Sequence, residues 1–149
     1  MKTLAVLFLL VLIFTFGCKE ETELPVSKYV KLEFKLAQNY AGDSLEMRVI
    51  KKDTIYLYPK VELSNEDIAL VSKSEIDNGI VLTFTESGND KIAKLTMLGF
   101  GKLLAVIVDD KVIIAPKIMG KISGKVQILG AFTKEEIGEM FDSLTKKNK

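Results

Sequence analysis

The sequence predicts an α+β domain, a mainly antiparallel sheet backed by two helices. Three patterns predict it: short apolar or alternating runs between turn residues, two segments with helical apolar spacing, and one tight hairpin signal around Asp109-Asp110-Lys111. A length of 149 residues suits one domain. We expect this domain to span residues 28–145, after a signal peptide (1–17) and a tether (18–27), and before a basic tail (146–149).

The first half of the domain is predicted to be mostly strands. Residues 29–36 alternate strictly between apolar and mainly charged side chains, which indicates a half-buried strand. Two short strands follow, residues 46–50 and 54–58. Residues 64–67 carry N-cap chemistry, so we expect a capped helical turn that continues into residues 68–71. Residues 80–85 alternate again and predict another strand.

The second half contains both predicted helices and the hairpin. Apolar residues recur near helical spacing from Ser87 or Asn89 to Met97, and glycines end this segment. Residues 103–108 and 112–115 are dense apolar runs that predict the hairpin strands, and residues 126–129 predict a last strand.

The last helix has its own signals. A capping box begins at Thr133, and Ile137, Met140, Phe141 and Leu144 follow at positions i, i+3, i+4 and i+7. These four residues therefore define one buried face.

The N-terminal segment resembles the signal peptide of a bacterial lipoprotein. Lys2 precedes an apolar run over residues 4–14, too short for a membrane-spanning helix, and Gly17-Cys18 then matches the lipobox of that family. The resemblance implies that Cys18 is acylated, that the leader is cleaved before it, and that the lipid holds the protein on a membrane. An ordinary signal peptide with a stray cysteine, or an uncleaved anchor, are the alternatives.

The residues after Cys18 favour an envelope location. Residues 19–23 are Lys-Glu-Glu-Thr-Glu, a charge-rich stretch that we expect to be a solvated tether. It resembles the lysine-plus-acidic signal that sends some lipoproteins of the Bacteroidetes to the outer face of the outer membrane. This implies the outer membrane and the cell surface, with a periplasm-facing lipoprotein as the alternative.

Composition excludes several function classes. The chain contains no His and one Cys, so it cannot form an imidazole-based catalytic triad, a His-ligated zinc site or an internal disulfide. The formal net charge of +1 gives no field that would favour nucleic acid. We therefore predict no cofactor, no metal, no nucleic-acid partner and no enzymatic activity.

Several residues that could form a functional site are interpreted instead as parts of turns, loops or strand ends. Two adjacent carboxylates, Asp109 and Asp110, do not converge on one reacting atom, so we interpret them as an exposed turn rather than an acid/base or cation site. Pro116 is interpreted as a strand terminator or an edge position, with a recognition feature as the alternative. Lysines 117, 121 and 125 lie along a Gly-rich loop and are interpreted as solvated or edge-guarding, with phosphate binding as the alternative.

From Ile80 to Leu144 the sequence resembles the head subdomain of the first large periplasmic domain of SecD, the accessory membrane component of the Sec protein translocase. The string G-K-x-x-A-[IV]-x-[ILV]-D, then V-x-x-A-P, is matched by Gly101 to Asp109, Val112, Ala115 and Pro116. Further matches are Val81-Leu82-Thr83-Phe84-Thr85, Gly88, Leu95-Thr96, Ile122, Ile128, Gly130, Phe132 and Glu135-Glu136, with Leu57 and Asn65-Glu66-Asp67-Ile68 upstream. Asp110 and Gly138 depart from the usual Gly and Ala.

The resemblance implies a binding module rather than a pump. SecD couples proton flow to export through transmembrane helices that this sequence does not show, so that activity is not carried over. We expect a monomeric, non-enzymatic envelope lipoprotein that contacts an unfolded polypeptide or a protein partner through a sheet edge or loop. The alternatives are a structural or surface lipoprotein without a role in export, and a hydrolase that uses Ser, Asp and Lys.

Overall fold

The computed structural model describes residues 22–74 and 76–146. Within these residues the chain forms nine strands, two α-helices and one 3-10 turn. The elements are β1 (Leu32–Gln38), β2 (Glu46–Ile50), β3 (Asp53–Leu57), β4 (Leu63–Ser64), a 3-10 turn (Asn65–Asp67), β5 (Ile68–Lys73), β6 (Gly79–Phe84), α1 (Glu86–Leu98), β7 (Leu103–Val108), β8 (Lys111–Ile114), β9 (Lys125–Leu129) and α2 (Lys134–Thr145).

All strand pairs between these elements are antiparallel. The larger sheet has the order β2-β3-β1-β7-β8, with β4 also beside β1, and the smaller sheet has the order β5-β6-β9. The predicted α+β class, an antiparallel sheet with two helices, is therefore confirmed. Its division into two sheets was not predicted, because sequence patterns do not report which strands pair.

The main core lies between the two sheets and the helices. Leu32 and Phe34 of β1 pack there with Leu82 of β6, Ile92 of α1 and Phe141 of α2. The aromatic rings of Phe34 and Phe84 approach with centroids 6.2 Å apart in a tilted arrangement. This core joins both sheets and both helices into one unit.

A second, smaller core covers the other face of the larger sheet. The sheet curls until β2 lies within 8 Å of β8, and the enclosed space is filled by Ala37, Ile55, Leu57, Ala105, Ile107 and Val112. As a result β1 is buried on both faces, and Glu33 is itself buried. The prediction of a half-buried first strand was therefore wrong, because alternation along one strand does not report the curling of its neighbours.

The predicted tether is shorter than residues 18–27. Leu24 exchanges two backbone hydrogen bonds with Val71, at 2.9 and 2.7 Å, and the Ser27 N–H donates to the Leu144 carbonyl. The side chains of Leu24 and Val26 pack against the main core. Residues 24–27 thus belong to the fold, because their apolar side chains outweigh the charged stretch before them.

Two helix predictions needed correction. The 3-10 turn ends at Asp67, and residues 68–71 continue as strand β5 rather than as a helix. Helix α1 starts at Glu86, earlier than predicted, because the Thr85 hydroxyl caps it by accepting the Gly88 N–H. By contrast, the capping box at Thr133 is confirmed, and so is the buried face of α2 at Ile137, Phe141 and Leu144. Met140, predicted on the same face, is only half-buried because it also borders an open groove.

No helix in the described part of the chain is long and apolar enough to cross a membrane. The predicted signal peptide and Cys18 lie outside the described residues, as does most of the basic tail.

Candidate functional site

An open groove of about 1020 Å³ runs between β2, the β7–β8 hairpin and α2. We call it the β2–β8 groove. Three sets of residues line it: Met47, Arg48, Val49, Ile50 and Lys51 from β2 and its turn; Val108 to Ile113 from the hairpin; and Phe132, Glu136, Glu139, Met140 and Ser143 from α2 and the residues before it. The groove thus brings together three elements that are distant in the sequence.

Two strand edges border the groove. In the described residues β2 pairs only with β3, and β8 pairs only with β7. Ile50 and Asp53 flank a two-residue turn and form a hydrogen-bonded pair. Hydrogen-bonded and non-hydrogen-bonded pairs alternate along antiparallel strands, so Val49 and Met47 belong to pairs without hydrogen bonds. Met47 and Val49 therefore direct their backbone N–H and C=O groups away from β3. Such groups are a template for pairing with another extended chain.

The side chains beside this edge are apolar and adaptable. Met47 and Val49 are exposed although they are large and apolar, and Met140 and Phe132 face them from the α2 side of the groove. Lys51 closes one end, with its Nζ 5.5 Å from the centre of the Phe132 ring and 3.4 Å from the Ala131 carbonyl oxygen. Methionine fills irregular space readily, which suits partners of varied shape.

Charged groups of both signs lie in the groove. The basic residues of the lining are Arg48, Lys51 and Lys111, and the acidic ones are Asp109, Asp110, Glu136 and Glu139. Arg48 pairs with Glu46 through its terminal nitrogen. Its Nε is buried and has no acceptor among the described residues.

The predicted turn residues lie at the rim of this groove. Asp109 and Asp110 have φ values of 47° and 64°, the left-handed backbone that a two-residue hairpin turn requires. The Asp109 Oδ1 accepts the Lys31 N–H at 2.9 Å, and the Asp110 Oδ1 lies 3.0 Å from the Lys31 Nζ. Hydrogen bonding to the Lys31 ammonium lowers the pKa of Asp110, and the pKa of Lys31 is raised by the same contact. Both carboxylates therefore hold the hairpin against β1.

Pro116 lies away from the groove. It follows β8, is exposed, and its carbonyl accepts the Leu104 N–H at 2.9 Å. Regular pairing of β8 ends at Ile114, before Pro116, although one isolated bridge, Leu103 with Lys117, follows it.

The groove does not contain a recognisable catalytic arrangement. Ser143 is the hydroxyl side chain that lines it, and in the described residues no lysine or carboxylate hydrogen-bonds that hydroxyl. Nor do three or more metal-ligating side chains converge anywhere in residues 22–74 and 76–146. What the groove offers is backbone pairing, apolar contact and charges of both signs.

Sequence reasoning anticipated an exposed sheet edge but did not find this groove. One signal was present: Met47 and Val49 are apolar residues on one face of a strand whose remaining residues are largely polar or charged. Their exposure follows from the edge position of β2, which depends on pairing with β3 and on the curling of the sheet.

The chain is similar to known components of protein translocation. The family model of the SecDF P1 head subdomain matches residues 42–145. The protein translocase subunit SecD of Elusimicrobium minutum is 27% identical over 124 residues, which cover 78% of this chain and 26% of that protein. The SecD of Aquifex aeolicus is 43% identical over 51 residues, 34% of this chain and 10% of that protein.

A solved structure has the same fold. A chain described as a membrane component SecDF that enhances protein export superposes with a TM-score of 0.58 at 24% identity, over 78% of this chain and 62% of that one. This chain therefore spans about a quarter of the first curated relative and carries the head part of it. The resemblance predicted from the hairpin string is confirmed, and the chain belongs to the SecDF P1 head subdomain family.

Proposed function

We propose that this protein is a lipid-anchored accessory module of protein translocation that holds an extended polypeptide in the β2–β8 groove. One observation carries the proposal: an open groove is bordered by two strand edges without a partner in the described residues. An extended polypeptide fits such a site by adding a strand to the β2 edge, because its backbone supplies hydrogen bonds whatever its sequence. β8 lies within 8 Å of β2, closer than a strand paired on both sides requires, so the polypeptide pairs with one edge only.

The lining of the groove supports this class of ligand. Met47, Val49 and Met140 offer apolar contact to side chains of varied shape, and the outward backbone groups of Met47 and Val49 offer hydrogen bonds to a peptide. Charges of both signs lie along the groove and favour no single net charge of the ligand. We expect weak binding, of about micromolar affinity or poorer, because the polypeptide loses conformational entropy when it is ordered.

The anchor is the second part of the proposal. Acylation of Cys18 would keep the domain at a membrane of the cell envelope, and the lysine-plus-acidic stretch of residues 19–23 favours the outer membrane and its outer face. The relatives are membrane components, and one of them is described as enhancing protein export. The module acts as a monomer and by binding alone.

Replacement of one edge residue tests the groove. In the Val49→Pro variant the proline removes an N–H that points away from β3, so the sheet keeps its pairing while the added strand loses a donor. NMR titration of the protein with an unfolded polypeptide should show shift changes along β2 and β8 for the parent and for the Val49→Ala control. These shift changes should be lost in Val49→Pro. A peptide with N-methylated amides should bind neither the parent protein nor the Val49→Ala control.

Contact in cells is tested by photo-crosslinking. A photo-reactive amino acid at Met47 should capture a stalled, translocating reporter protein, whereas the same group at the exposed Lys94 on α1 should not. Equal capture at both positions, or unchanged titration of Val49→Pro, would refute strand addition in the groove.

A further inference from the structure

Four large apolar side chains are exposed where α1 ends and where the loop between β8 and β9 packs beside it. They are Met97, Leu98, Phe100 and Met119, with exposed fractions of 63, 77, 65 and 68%. We call this cluster the apolar tip. Single exposed apolar residues are ordinary on protein surfaces, but a cluster indicates an interaction site.

The fold holds the two halves of the tip together. Three of the residues lie at the end of α1 and just after it, and Met119 lies in the loop between β8 and β9. The Gly101 N–H donates to the Ile118 carbonyl at 2.9 Å, and the Ile118 N–H donates to the Lys102 carbonyl at 2.8 Å. Ile118 itself is buried in the main core. The loop is therefore fixed beside the helix end.

A basic rim surrounds the tip. Lys94 lies one helical turn before Leu98, Lys102 follows Phe100 closely, and Lys117 and Lys121 flank Met119; all four are exposed. Residues 91–108 and 111–134 contain no acidic residue. The two stretches of sequence that form the tip thus carry exposed apolar side chains and lysines but no acidic residue.

We propose that the apolar tip docks into the surface of a bilayer that contains anionic phospholipids. Apolar side chains at the acyl boundary and lysines at the headgroups are the chemistry of an interfacial membrane contact. The occupant is a lipid surface rather than a polypeptide because the tip offers no free strand: the residues beside it pair, Leu103 with Lys117. Four side chains are also too few for a stable protein interface, which buries about 800 Å² on each partner.

The distance from the tip to the proposed lipid at Cys18 supports a bilayer as the partner. This part of the argument rests on the lipid anchor of the proposed function. The fold begins at Leu24, so six residue steps separate it from Cys18, a reach of about 20 Å when extended. Glu23 lies beside Lys125, whose neighbour Gly124 bonds Asn89 near the start of α1. From Asn89 to Leu98, α1 rises about 14 Å towards the tip. A lipid at Cys18 therefore keeps the tip within reach of the bilayer, where its effective concentration is high.

Docking would leave the β2–β8 groove open. None of the residues that form the tip or its basic rim lines the groove. The membrane contact would orient the domain, and the groove would remain accessible to a polypeptide.

Fluorescence quenching on vesicles tests the proposal with the full mature protein. An acylated Cys18 has no free thiol, so Phe100→Cys, Met119→Cys and the control Met47→Cys each provide one site for an environment-sensitive dye. The proteins are placed in vesicles of phosphatidylcholine with phosphatidylglycerol that carry a lipid-bound quencher. Quenching at positions 100 and 119 should exceed that at position 47 by about twofold or more. Lys117→Glu with Lys121→Glu should reduce it, as should high salt.

The outcomes separate the two proposals. Quenching that is equal at the three positions, or absent at the tip, would overturn docking on the bilayer. A dye response at the tip to an unfolded polypeptide, without lipid quenching, would assign the tip to protein and also overturn it. Dye labelling of the parent at Cys18 would refute the anchor alone. The three variants would then also carry Cys18→Ala, so that quenching by added vesicles still reports on the single dye at each position.

Discussion

Gly88 in the first turns of α1 lies directly against the backbone of Asp67, so that a Cβ atom at position 88 would overlap the Asp67 carbonyl oxygen. Asp67 is almost fully buried, accepts the Ser64 N–H at 2.9 Å and lies 2.8 Å from the Lys91 Nζ. This close approach joins α1 to the segment between β4 and β5.

Two glycine-to-alanine changes should therefore have opposite effects on stability. Gly88→Ala should lower the free energy of unfolding by about 1–3 kcal/mol or more, because backbone must move to accept the methyl group. Gly138→Ala in α2 meets open space and should raise it by up to about 1 kcal/mol through helix propensity. Urea denaturation measures both. Equal midpoints would contradict the packing of α1 on Asp67.

The buried face of α2 gives a second prediction. Phe141 is buried in the main core, and the Lys73 Nζ lies 4.9 Å from its ring centre. Phe141→Ala should cost about 3–5 kcal/mol. Lys134→Ala, on the exposed first turn of the same helix, should change stability by less than about 0.5 kcal/mol. A small loss for both variants would mean that α2 does not pack as described.

Residues 24–27 should contribute to the stability of the fold as well as connect it to the N-terminal tether. A chain that begins at Lys28 loses the two hydrogen bonds between Leu24 and Val71 and the packing of Leu24 and Val26. It also loses two bonds of Ser27, whose N–H donates to the Leu144 carbonyl and whose carbonyl accepts from the Asn65 side chain. We expect a loss of about 2–4 kcal/mol relative to a chain that begins at Thr22. A chain that begins at Leu24 loses only the exposed Glu23–Lys125 pair and should match the longer one within about 1 kcal/mol. Thermal denaturation of the three chains compares them directly.

The hairpin turn gives a prediction about titration. Because Asp110 accepts a hydrogen bond from the Lys31 ammonium, its pKa in the folded protein lies below 3.8. The pair therefore stabilises the folded state above the unfolded pKa, and this small, exposed contribution is lost as pH falls through the folded pKa. In Lys31→Met the Asp110 pKa should rise towards 3.8, measured by NMR. Lys94→Met should leave it unchanged.

The lipid anchor has a direct test in cells. Cys18 is the sole cysteine of the chain. Cys18→Ala should therefore abolish labelling by a palmitate analogue and, where the leader is still cleaved, release the protein from membranes. Lipid labelling that persists in this variant would be incompatible with an anchor at Cys18. A parent protein that takes up no palmitate analogue would also be incompatible with it.

Local patterns predicted the elements whose physics is local. The Asp109-Asp110 turn, the capping box at Thr133 and the face of α2 depend on residues within a few positions of one another, and all agree with the structure. The hairpin string also identified the family, because it specifies a strand, a turn and a second strand together.

The remaining features were decided by contacts between distant segments. Alternation in β1 predicted one buried face, yet the curled sheet buries Ala37 and Glu33 on the other. Residues after Asp67 carried helical signals but form β5, because pairing with β6 outweighs weak local propensity.

The sequence by itself determined the fold class, the family and the candidate anchor at Cys18, since these depend on composition and on short motifs. Only the tertiary structure decided where a ligand has access. The β2–β8 groove exists because β2 and α2 meet across a curled sheet, and the apolar tip exists because the Ile118 loop packs beside the end of α1. Exposure of a strand edge or an apolar side chain is a property of what lies next to it in space, which one-dimensional patterns do not record.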